Sequence, residues 1–108
     1  MIKLFRKRYI IFQIISKKKI SHHNFLQKFE EILSYLYGIR GKIKYGIELV
    51  EFNEEKQGGI ISCYHKAVPY VRIILLFIFS IEEEKVLINV VKVTGTLKRA
   101  RQILEKLF

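Results

Sequence analysis

Hydrophobic positions along the chain follow two periods, and the change from one to the other divides it into elements. Short runs rich in Ile, Val and aromatic residues, bounded by charges or glycine, predict strands over Arg8–Ile15, Ile47–Asn53, Gly59–His65 and Lys85–Thr94. Helical spacing takes over at Phe25, Leu26, Phe29, Ile32, Leu33 and Leu36, after Ser21 as N-cap. That helix is expected to run to Tyr37 and stop at Gly38, which leaves Arg40–Gly46 as a basic loop with two glycines. Glu54–Gly58 is a polar turn, and Gly58-Gly59 is a hairpin signal. Pro69 suits a first helical turn, so a second helix is expected over Ala67–Ile81, ended by Glu82-Glu83-Glu84. Gly95 ends the last strand. Thr96 then caps a final helix whose Leu97, Ala100, Leu104 and Leu107 share one stripe.

The order is therefore β-α-β-β-α-β plus a helix. The expected fold is α+β, a ferredoxin-like or RNA-recognition-motif-like two-layer sandwich. Two helices would pack on one face of an antiparallel four-stranded sheet, in a single domain spanning residues 1–108. Fold alone does not give function.

This patterning leaves apolar surface over. On the first strand, Ile10, Phe12 and Ile14 oppose Tyr9, Ile11 and Ile15. On the fourth, Val86, Ile88 and Val90 oppose Leu87, Val91 and Val93. The last helix or a protein partner must cover the second face. Within the second helix only Arg72 and Ser80 are polar. Protein contacts are therefore expected at Tyr9 and Ile11 on the sheet, and at Arg72, Leu76 and Phe79 beyond it. Val68–Ile81 is too short, and carries Arg72, to span a bilayer. The basic opening (Lys3, Arg6, Lys7, Arg8) leads into Tyr9–Ile15, but Gln13 and Lys17-Lys18-Lys19 do not suit a signal peptide. A cytoplasmic location without a membrane is expected.

Composition adds a partner class. Lys and Arg number 20 against 10 acids in 108 residues, a formal net charge of +10, yet half the residues are hydrophobic. Such a chain is a folded domain rather than a disordered basic tail, and its partner is expected to be a polyanion. The expected topology brings four basic groups to one end: Arg6, Lys7 and Arg8; Arg40, Lys42 and Lys44; Lys66; and Lys98, Arg99 and Arg101. The amides from Thr96 onward would add positive helix dipole there. The opposite end mixes Lys17-Lys18-Lys19 with Glu54, Glu55 and Glu82-Glu83-Glu84.

Candidate chemistry subtracts classes. One cysteine excludes an intrachain disulfide, and Cys63, mid-strand, is expected to be buried and inert. His22-His23 are adjacent and lack chelating spacing, and the chain has no Asp. No paired carboxylates or nucleophile–base set stands out, so no catalytic or metal-binding residue is expected. The third strand lacks an aromatic-x-aromatic pair, which makes the sheet a poor base-stacking platform.

Three stretches together carry a resemblance. They are the basic opening into Arg8-Tyr9-Ile10-Ile11-Phe12, then Gly59-Ile60-Ile61-Ser62-Cys63 followed by Val71-Arg72, and the ending Val91-Lys92-Val93-Thr94-Gly95-Thr96-Leu97-Lys98-Arg99. The chain resembles the archaeal ribonuclease P protein component 2 family. The resemblance implies a subunit of the ribonucleoprotein that removes the 5′ leader of precursor tRNA, with the chemistry carried by the RNA and its Mg²⁺. It implies no cofactor in this chain. It also implies docking to the TIM-barrel-like protein component 3 and other ribonuclease P proteins, and a heterotetramer in which two copies meet. A protein-interaction scaffold of ferredoxin-like fold without RNA contact is the alternative. A small-molecule or metal-binding enzyme finds no site among these residues.

Overall fold

The structure, a computed structural model, describes residues 6–107. Lys3 of the basic opening lies outside them. Five strands, β1 (Lys7–Ser16), β2 (Glu48–Asn53), β3 (Gly58–Tyr64), β4 (Ser80–Ile81) and β5 (Glu84–Thr94), alternate with helices α1 (His22–Tyr45), α2 (Val68–Phe77) and α3 (Leu97–Glu105). The strands form one antiparallel sheet in the order β2-β3-β1-β5-β4. β1 lies in the middle because it is apolar on both sides: Ile10, Ile11 and Phe12 are all fully buried.

The sheet has five strands, not the expected four. α2 ends at Phe77, short of Ile81, and Ile78 is already extended at φ −90°, ψ 94°. Ser80 and Ile81 then pair with Lys85 and Glu84. The two residues between them, Glu82 (φ 50°) and Glu83 (φ 68°), are both left-handed, as a type I′ hairpin turn requires. A continuous apolar run does not distinguish helix from strand, and three consecutive glutamates hide a turn that usually announces itself with Asn-Gly.

α1 also departs from expectation. Gly38 (φ 70°, ψ −178°) is a kink inside it, and helix resumes to Tyr45, so most of the expected basic loop Arg40–Gly46 is helical. The terminating glycine is Gly46, left-handed at φ 62°, ψ 35°, whose N–H donates to the Ile43 and Lys42 carbonyls. A side chain at Gly46 would also meet the Tyr64 ring at 2.8 Å. At the other end, the Ser21 hydroxyl accepts from the Asn24 N–H, and Glu54 accepts from the His22 N–H at 2.8 Å. An acid at a helix N-terminus is favourable toward the dipole.

α1 and α2 cover one face of the sheet. Its core is built on Phe12, Phe25, Phe29 and Phe52, whose rings stack at 4.9 Å (Phe12–Phe25), 5.9 Å (Phe25–Phe29) and 5.3 Å (Phe25–Phe52). α3 covers part of the other face, setting Ala100 and Leu104 on Ile11 and Ile60. Two β-bulges tune the pattern. One at Val50 lets consecutive residues serve α3: Val50 packs on its cluster and Glu51 takes Arg101. The other, at Val91, shifts the phase of β5, so Val93 packs with Val90 against the α1/α2 core instead of lying with Leu87 on the opposite face.

Candidate nucleic-acid interface

Four chain segments meet at one end of the sheet. Lys7 and Arg8 open β1 opposite Tyr64 and Cys63 at the close of β3, and the His65 N–H donates to the Arg6 carbonyl at 2.6 Å. Tyr9 pairs with Thr94, which brings the β5–α3 junction alongside. A side-chain carbon at Gly95 would lie 3.6 Å from the Arg8 guanidinium. The end of α1 arrives beside Tyr64 through Gly46, carrying Lys42 and Lys44. Arg6, Lys7, Lys44, Lys66, Lys98 and Arg99 are exposed, and Arg8 is half-buried.

Three of the expected contact residues are already engaged. Lys42 holds Glu30 bidentately, at 3.0 and 2.9 Å, across the Gly38 kink. Arg101 donates to Glu51 at 2.9 Å, over the middle of the sheet and away from the end where the other basic residues gather. The Thr96 hydroxyl caps α3 by accepting from the Arg99 N–H at 3.2 Å. Arg40 is exposed on the second segment of α1, outside both concavities at this end.

Those concavities flank Tyr64. One, of about 380 Å³, has Lys7, Lys42, Gly46 and Glu48 in its walls. The other, of about 350 Å³, lies between the end of α1 and the start of α2, with Lys44, Tyr45, His65, Lys66 and Tyr70 around it. Two of these, Tyr45 and Tyr70, cluster with Tyr37 behind them. Tyr45 and Tyr70 stack at 4.6 Å, and Tyr37 meets each edge-on at 5.7 Å. The Tyr37 hydroxyl donates to the Tyr70 carbonyl at 3.2 Å, tying α1 to α2. Burial, helped by the two neighbouring phenols, raises the Tyr37 pKa, which keeps it a donor. Sequence reasoning missed this cleft. Its signal was the interleaving of Lys44-Tyr45 with Tyr64-His65-Lys66.

The expected protein contacts divide. Ile11 is completely buried and Tyr9 half-buried beneath α3, so that part of the sheet is closed by the chain itself. The same packing removes it as a surface for bases. Arg72, Leu76 and Phe79 are exposed, Leu76 by 74 % and Phe79 by 69 %. Cys63 is buried, and burial pushes its thiol up to about 11. Among the described residues no group of three or more His, Cys, Asp or Glu could hold a metal ion. Among them, too, no helix is long and apolar enough to cross a membrane.

Comparison with known proteins fits a chain of this kind. The model of the Rpp14/Pop5 family matches residues 8–105. Ribonuclease P protein component 2 of Archaeoglobus fulgidus is 32 % identical over 97 residues, covering 90 % of this chain and 86 % of that protein. Its namesake in Pyrococcus furiosus is 31 % identical over 97 residues, covering 90 % and 81 %. A chain in the cryo-EM structure of yeast ribonuclease MRP shares the fold, with a TM-score of 0.66 at 17 % identity over 96 % of this chain and 90 % of that one. The matched span runs from Arg8 in β1 through the whole of α3, and so takes in most of the basic end and the helix that covers part of the second face: the chain belongs to the Rpp14/Pop5 family, as a homologue of archaeal ribonuclease P protein component 2.

Proposed function

We propose that this chain is a protein subunit of ribonuclease P, removing the 5′ leader of precursor tRNA as part of that ribonucleoprotein, and that it supports the catalytic RNA through its basic end. The observation that carries this reading is the convergence of four separate segments, bearing exposed Arg6, Lys7, Lys44, Lys66, Lys98 and Arg99, on one end of the sheet. Phosphates are the partner such a constellation suits. The four long strands, in the order β2-β3-β1-β5 with α1 and α2 on one face, read as a ferredoxin-like core to which β4 and α3 are added. Mg²⁺ would sit with the RNA. Arg72, Leu76 and Phe79 would meet the TIM-barrel-like protein subunit, and two copies of the chain would come together in a heterotetramer.

The test replaces Lys98 and Arg99 with Gln, alone and together with Lys7. The expected result is weaker binding to ribonuclease P RNA, a salt dependence shallower by roughly 0.7–0.9 per lost phosphate contact, and a higher Mg²⁺ requirement in the reconstituted enzyme. Replacing Arg101, already held by Glu51, has a smaller effect. Unchanged affinity and unchanged Mg²⁺ requirement, with the TIM-barrel-like subunit still bound, would favour the scaffold without RNA contact.

A further inference from the structure

The cleft between the end of α1 and the start of α2 combines features that phosphate binding alone does not need. Its walls carry Lys44 and Lys66 and no acid. Tyr70 is 39 % exposed there, with its ring held in place by stacking on Tyr45 and by Tyr37 at its edge. His65 also lines the cleft. A 3-10 turn over His65–Ala67 leads directly into α2 and brings His65, Lys66 and Ala67 to the lining. At about 350 Å³ the cleft falls in the size range of small-ligand sites.

We infer that this cleft holds one unstacked nucleotide of a single-stranded RNA segment, its base against Tyr70 and its phosphate between Lys44 and Lys66. The inference rests on the RNA-binding reading above and adds a site to it. An acidic peptide would satisfy the two lysines but leave the aromatic wall unused. A duplex keeps its bases stacked, and a recess between two helices admits a base only once it has left the stack. A single-stranded loop offers flat face, hydrogen-bonding edge and phosphate together. The ring needs no rearrangement to receive it, because Tyr45 and Tyr37 already fix its orientation.

The experiment measures binding of the full chain to a short oligouridine and to a short RNA duplex by fluorescence anisotropy. Tyr70→Ala should weaken oligouridine binding about tenfold, the scale of one lost base stack, and leave the duplex affinity unchanged. Tyr70→Phe, which keeps the ring, should bind as the parent does. Lys66→Gln should weaken binding and lower the salt slope by about one contact. Lys66 is exposed, so this variant still tests the cleft should Tyr70→Ala lose its melting transition: loss confined to oligouridine supports the cleft, and equal loss on the duplex overturns it. Thiouridine photocrosslinks should fall in the Tyr64–Tyr70 stretch. Wild-type oligouridine binding by both Tyr70→Ala and Lys66→Gln, with loss in the Lys98→Gln/Arg99→Gln variant, would overturn the cleft and leave the RNA reading standing. No binding of either RNA by the folded parent would overturn both. Saturable binding of UMP or AMP alone, with oligouridine binding indifferent to the variants, would overturn RNA as the source of the nucleotide.

Discussion

α2 and α3 lie on opposite faces of one sheet and solve the problem of a surface helix in opposite ways. α3 is short and amphipathic. Ala100 and Leu104 go in, while Lys98, Arg99, Arg101, Gln102 and Glu105 go out, and Thr96 caps the start. α2 is apolar nearly all round, yet only Val71, Ile74 and Leu75 are buried, and no side chain caps it. Ile73, Leu76 and Phe77 stay exposed, as does Phe79 just beyond. α3 therefore buries its own apolar stripe, although Ile15 and Leu87 stay exposed on the face it partly covers, whereas α2 itself presents apolar surface that the chain does not cover. Apolar content alone says little about burial. What decides it is whether another element lies within reach of each side of the helix.

The largest effects should come from truncations that compare the two cores. Phe12→Ala removes the ring that stacks on Phe25 in the larger core, and should cost about 3–5 kcal/mol. Leu104→Ala strikes a cluster with only Ile11, Ile60 and Ala100 as its other fully buried members. It should fall nearer the lower end for leucine, about 2–3 kcal/mol. Urea unfolding measures both. Equal costs would mean that α3 is as integral to the fold as α1 and α2.

The next prediction uses pH to probe the α1/α2 side. Cys63 belongs to the core on that face, and burial alone lifts its thiol to about 11. The folded state keeps its proton to higher pH than the unfolded chain, whose thiol titrates at its ordinary value, near 9. Stability is therefore independent of this group below about pH 9, and declines as pH rises from there toward 11. Cys63→Ala should flatten that alkaline decline, as followed by melts across the pH series. At neutral pH the thiol should react with a disulfide reagent only as fast as the chain opens. Immediate labelling of the folded chain would show that this face is not sealed.

How much of this was legible follows from how far each signal reaches along the chain. β1 was plain because charges bound an apolar run, and α3 because Thr96 and one stripe of side chains define it locally. Gly38 and Gly46 each follow a tyrosine, and only φ/ψ tells the kink from the stop. The turn at Glu82-Glu83 carries left-handed backbone on residues that rarely adopt it. The bulges at Val50 and Val91 break a period-two pattern without any sequence mark. In the basic end, the convergence of segments follows from strand order. The neutralisation of Lys42 by Glu30 and of Arg101 by Glu51 depends on a kink and a bulge, as the tyrosine cleft depends on where α1 truly ends.

The smallest expected effect on stability tests the comparison most directly. Leu76 is exposed on α2, in a shallow groove that also has Arg72, Asn89 and Val90 in its walls. Leu76→Ser removes apolar surface that already faces solvent, so the unfolding free energy read from urea titration should change by no more than about 0.5 kcal/mol. If α2 is surplus only in the free chain, the same variant should bind the TIM-barrel-like subunit more weakly, as read by calorimetry. A solvent-exposed polar residue on α3, such as Gln102, should tolerate Gln102→Ser in both measurements. Loss of stability in Leu76→Ser would mean that α2 is packed within the free chain as closely as α3. Unchanged stability with unchanged association would leave its apolar side facing no partner of that kind. Only the split result, a stable chain that binds less well, fits a helix whose outer side is completed by another protein.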